Sequence, residues 1–168
     1  MFDPAPLAGL PPAIALHLGG AMAALLIGPI SIYRQRRDRL HRIAGYAWVL
    51  AMAGTAVSSF LIDAFVLPIA GGFGAIHLLS VWVLLNLLHG VCDARAGRIA
   101  AHRARMHGLY WQGLGLAGVL TILPGRTLNE VFLPDRPDAG VWIAALGVAA
   151  LLAGPSLARR LRRRPSAG

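Results

Sequence analysis

The chain has one cysteine, Cys92, no lysine, and only 14% charged residues. A single cysteine excludes an internal disulfide, so cysteine usage does not indicate a redox compartment. A charged share near half that of an ordinary soluble domain excludes a fully water-solvated surface. No Walker loop, zinc-protease HExxH or nucleophile elbow occurs. Gly113-Leu114-Gly115 with Gly118 is a glycine pattern within an apolar stretch rather than a dinucleotide fingerprint. A nucleotide-binding or hydrolytic enzyme is therefore not expected, and no catalytic residue is assigned. No internal repeat marks a solenoid or a second domain. Met1 to Pro12 lacks a basic segment and a small-residue cleavage pattern, so the first apolar run is expected to stay in the mature protein.

What remains is apolar residues and arginine. Hydrophobic residues make up 57% of the 168, which points to the bilayer as solvent. Five stretches approach the roughly 20 residues needed to cross a hydrocarbon core. They run over 12–33, 43–67, 75–92, 107–123 and 141–158, and predict an all-α transmembrane bundle of about five helices with a four-helix core. Residues 1–158 form one transmembrane domain in this reading, and 159–168 a basic cytoplasmic tail expected to lack structure. An Arg-rich loop lies at 34–42, a Gly-rich turn at 68–74, a basic loop at 93–106 and a Pro-rich loop at 124–140.

All 16 basic residues are arginine, and the net charge is +9. They fall in short runs between apolar stretches, which argues for topology signals and against a nucleic-acid face. Arg34, Arg36, Arg37, Arg39 and Arg42, then Arg95, Arg98, Arg103 and Arg105, then the five arginines after Ala158 share one side. Only Arg126 and Arg136 fall on the other. Basic short loops are retained in the cytoplasm, so the N-terminus is expected outside and the C-terminus inside. Lipid bilayer and anionic headgroups facing the cytoplasmic arginines are the expected partners. A homodimer is compatible with the sequence.

Ionisable groups at membrane depth are costly and tend to be functional, so six histidines need an account. His17 and His77 fall at similar depth in the outer parts of the first and third spans. His41 and His107 begin the second and fourth spans at the inner face. His89 follows His77 by 12 residues, roughly 18 Å deeper at 1.5 Å per residue, and is a further inner-level candidate. His102 reads as a solvated loop residue. Two level pairs on alternate helices are what two stacked b-type haems need for axial ligation. The same pairs would serve another metal, a proton relay, or no chemistry at all. Arg34, Arg42 and Arg105 flank the inner histidines and could pair with haem propionates, with Arg126 doing the same outside. Asp63 is expected to hydrogen-bond Ser59, Asn86 to share a face with His89, and the tryptophans to act as interfacial anchors.

The run His17-Leu18-Gly19-Gly20 through Tyr33-Arg34 to Leu40-His41, then Ile76-His77, then Met106-His107-Gly108, resembles the four-histidine core of the cytochrome b-561 superfamily. With Gly28-Pro29 and Pro124-Gly125-Arg126, the chain also resembles a bacterial family of uncharacterised small membrane proteins, domain of unknown function 2306. The b-561 likeness implies His17 with His77 on an outer haem b and His41 with His107 on an inner one. It implies a di-haem cytochrome passing electrons within or across the bacterial inner membrane, with donor and acceptor unspecified. The sequence departs from that pattern: His41 and His107 lie right at the Arg-rich boundary, shallower than a buried haem prefers, His89 is an extra inner-level candidate, no helix precedes the core, and no substrate motif for ascorbate or a ferric chelate is present. A non-redox transporter, a metal- or proton-handling protein, or an accessory subunit of a membrane complex remains the alternative.

Overall fold

A computed structural model describes residues 3–34, 36–64 and 68–162. Among them the chain is helical apart from one small hairpin, as the apolar pattern predicts. It divides into two compact units, one of residues 10–114 and the other of 1–9 with 115–168.

The larger unit begins with α1, Pro12–Ile32, started by a proline that has no amide hydrogen to leave unpaired. Next comes α2, Arg39–Ser59, capped by Asp38, whose carboxylate accepts the His41 amide at 3.0 Å. Eight residues sooner than the apolar run suggests, α2 stops, and the chain turns over Phe60 to Ile62. The expected Gly-rich turn is an antiparallel hairpin of β1, Pro68–Ala70, and β2, Phe73–Gly74. Gly71 and Gly72 turn it with φ of 53° and 80°, which side-chain-bearing residues rarely adopt. α3, Ala75–Arg95, follows, and then α4, Ile99–Gly108, which starts eight residues before the expected fourth span. A π-helical segment, Leu109–Leu114, ends this unit.

Trp48, Met52 and Ala56 of α2 form the core with Ala24 of α1, Val83 and Leu87 of α3, and Met106, Leu109, Tyr110 and Leu114. Close helix approach depends on missing side chains. A Cβ on Gly20 would stand 2.6 Å from Thr55 Oγ1 and 3.3 Å from the Ala51 carbonyl, so α1 lies directly against α2. The outward faces are apolar: Leu26 is 69% exposed, Leu50 72% and Leu78 64%. Large bare apolar faces on long helices suit a lipid environment. Among the described residues two helices, α1 and α3, are long and apolar enough to span a bilayer.

The other unit contains α5, Gly115–Leu120, α6, Thr127–Phe132, and α7, Ala139–Arg162, with a 3₁₀ turn at Ala5–Leu7. Asn129 sits at its centre, fully buried, and its amide donates to the carbonyls of Ile122 at 2.6 Å and Pro137 at 3.0 Å. These bonds close the loop between α5 and α7. Where an unstructured tail is expected, α7 stays helical to Arg162, and residues 163–168 lie outside the described part.

Candidate functional site

The arginine-rich end of the larger unit encloses a cavity of about 350 Å³, at the small end of the range for ligand pockets. Each of its four helices contributes to the wall. α1 brings Ser31 and Ile32, α2 brings His41, Gly45 and Trp48, α3 brings Val91 and Arg95, and α4 brings His102, Met106 and His107. Arg34, Arg37, Arg42 and Arg103 complete a cationic rim over an apolar floor. The structure thus gathers four expected residues, His41, His107, Arg34 and Arg42, in one place.

Local bonds explain how the rim is held. Asp38 Oδ1 accepts both the His41 amide and Arg34 Nε, the latter at 2.9 Å, and Oδ2 pairs with the Arg34 guanidinium. The Arg34 hydrogen bonds, reinforced by the His41 amide, hold the Asp38 carboxyl well below the usual carboxylate range. His102 stands on α4 and donates its Nδ1–H to the Gly90 carbonyl of α3 at 2.8 Å, so it is a half-buried brace and not a solvated loop residue. Opposite Gly90, the Met106 side chain fills the place a Cβ would take. Tyr33 meets the His107 ring edge-on, with centroids 5.5 Å apart, and accepts the Trp111 indole N–H at 3.1 Å. Trp111 belongs to the π-helical segment, a widened turn often found at functional sites.

The other expected residues are placed elsewhere. Arg105 is committed to Asp93 at 2.8 Å and to Asn86 at 3.2 Å, and Arg98 shares the same buried Asp93. Asn86 therefore serves Arg105 and the Trp82 carbonyl. His89 lies on an exposed face of α3, away from the cavity. Arg126 belongs to the smaller unit. Asp63 is exposed and lies against Gly72 of the hairpin.

His17 and His77 meet the same end of α2. His17 Nδ1 donates to the Thr55 carbonyl at 2.9 Å. His77, 4% exposed, uses both ring nitrogens: Nδ1 accepts the Gly74 amide at 3.0 Å, so Nε2 carries the proton. That Nε2–H is shared between the carbonyls of Ser59 at 3.1 Å and Ile62 at 3.2 Å. Phe60 and Phe73 flank the ring, with centroids 5.8 Å and 4.8 Å away. Helix ends leave carbonyls without intrahelical partners, and His77 bonds that of Ser59, which also accepts the Ile62 amide, and that of Ile62 in the turn that follows α2.

These arrangements test the haem that the b-561 likeness implies. The arginine-rich cavity fits in donor type: imidazoles from two helices, arginines for carboxylates, apolar walls, and a buried His41 Nδ1 without a hydrogen-bond partner. The His17 and His77 pair does not fit, because a lone pair on His77 could reach iron only by giving up a backbone bond. Among the described residues no cluster of three or more His, Cys, Asp or Glu could hold a metal ion.

Arg37, Arg95, His102 and Trp48 are cavity residues that sequence reasoning did not select. Their signal was available in part, since Arg95 ends α3 and His102 lies about one turn into α4, on either side of the basic connection.

A helical chain with bare apolar faces and a cationic cavity at one end defines a membrane protein. The chain belongs to the family described as predicted membrane protein (DUF2306), whose model matches residues 14–157. No curated protein and no solved structure matches it.

Proposed function

We propose that this protein is a b-type membrane cytochrome with one haem, held in the arginine-rich cavity by His41 of α2 and His107 of α4. The observation that carries the reading is the convergence of these two histidines with cationic side chains on one apolar cavity. A bis-histidine haem takes two axial nitrogens, countercharges for two carboxylates, and dry walls. Arg42 and Arg37 are the countercharges of choice, since Arg34 is already paired with Asp38. Tyr33 would steady the His107 ring and Asp38 the helical turn that bears His41. When bound, such a haem takes up and gives back single electrons.

The arginine count supports a topology in which this end faces the cytoplasm and five segments cross the bacterial inner membrane. With His77 engaged in backbone bonds, the reading has one haem where the sequence likeness implied two. Reduced-minus-oxidised spectra of detergent-purified protein, made with ample haem, test it. The expected result is a b-type α-band at one haem per chain that is lost in His41→Ala and His107→Ala. Protein with no such band, or with two haems per chain, overturns the reading.

A further inference from the structure

The unpaired charges of the cavity wall are arginines. Arg37, Arg42 and Arg95 line the same wall, and among the described residues no carboxylate pairs with them, Asp38 and Asp93 being taken by Arg34, Arg98 and Arg105. Several charges of one sign on a small concave wall repel one another. The complement is an occupant that brings acceptor oxygens and negative charge. Guanidinium forks match the oxygens of phosphate in pairs. Ile32, Val49, Val91 and Met106 give the same wall an apolar side.

We infer that the cavity seats a phosphate group through Arg37, Arg42 and Arg95, delivered by an anionic phospholipid or free in solution. The inference concerns the same cavity as the haem reading but does not rest on it, since phosphate needs the arginines and not an iron-binding imidazole.

The full chain, made without haem supply and purified in mild detergent, is titrated with phosphatidylglycerol, phosphatidylcholine and inorganic phosphate, and bound ligand is counted by native mass spectrometry. One phosphatidylglycerol per chain is expected, held about tenfold or more tighter than phosphatidylcholine. Arg42→Gln/Arg95→Gln should weaken it by about tenfold, while the charge-matched Arg36→Gln/Arg39→Gln, outside the cavity, should leave it unchanged. Displacement of the lipid by inorganic phosphate assigns the seat to phosphate alone; resistance assigns it to the lipid headgroup. Equal binding of the two lipids together with no binding of phosphate overturns the inference, as does equal loss in both arginine variants. Phosphatidylglycerol binding that survives in His41→Ala separates the two readings. A chain that binds this lipid and never haem refutes only the cytochrome, and one that binds haem but neither phosphate source refutes only this seat.

Discussion

Replacing His77 by alanine removes an acceptor for the Gly74 amide and a donor shared by two carbonyls, and empties a ring-sized space between Phe60 and Phe73. Two net hydrogen bonds at about 1 kcal/mol each, with a further ~1 kcal/mol for imperfectly refilled volume, give a loss of about 3 kcal/mol. Couplings measured inside membranes average nearer 0.6 kcal/mol per bond, which sets a floor of roughly 1 kcal/mol. Glutamine is the informative companion. At the third position of a helix it can accept the amide of the preceding cap residue, so His77→Gln should recover about half of the loss. Only that half of the usual reciprocal capping pair can exist here, because Gly74 has no side chain. The assay is denaturant unfolding of the protein in detergent, followed by tryptophan fluorescence and circular dichroism, with haem content measured on the same samples. His77→Ala that unfolds within ~0.5 kcal/mol of the parent, or that keeps its stability and drops a haem, would refute the structural role of this ring.

Three further outcomes follow from particular contacts. Gly20→Val should destabilise the α1–α2 pair by about 1–3 kcal/mol in the same unfolding assay, because its side chain must displace Thr55. Gly19→Ala, which meets nothing within 4 Å, should be silent, and equal effects would refute the close-packing argument. Asp38 has a depressed native pKa, so its stabilising effect is complete above the ordinary carboxylate value near 4 and is lost as pH falls from there through the native value. Asp38→Asn should therefore flatten the acid limb of a stability-against-pH profile below about pH 4, and an unchanged limb would assign the acid loss to other groups.

Much of the architecture is legible in the sequence because the bilayer imposes one rule, about 20 apolar residues per crossing, and the starts of α1 and α3 follow it to the residue. The rule fails where apolar character and helicity part. Residues 60–67 are apolar except for Asp63, yet α2 stops at Ser59, where Ser58, Ser59 and the two histidines offer the backbone other partners. It fails in the opposite sense at Ile99, where a basic segment is helical because His102, Arg98 and Arg105 bond back to α3. For the cavity, depth alone matched His17 with His77 and His41 with His107. Depth does not say which way a ring faces or what it bonds, and that is where the two pairs diverge. Arg34 and Arg105 were selected for their proximity to histidines, but nearby aspartates claim both.

Asp38 and Asp93 have one further consequence. Asp38 staples the end of α1 to the start of α2, and Asp93 staples α3 to α4, so each helical hairpin is cross-braced at its arginine-rich end. Between the two hairpins there are polar ties at both ends: His77 and the Ser59–Ser80 hydroxyl pair join α2 to α3 at one, and the Trp111 indole joins Tyr33, just past α1, at the other. The cavity therefore lies between two braced hairpins that are laced together beside it as well as at the far end. A ligand too large for the cavity would have to part Trp111 from Tyr33 before it disturbed either aspartate brace.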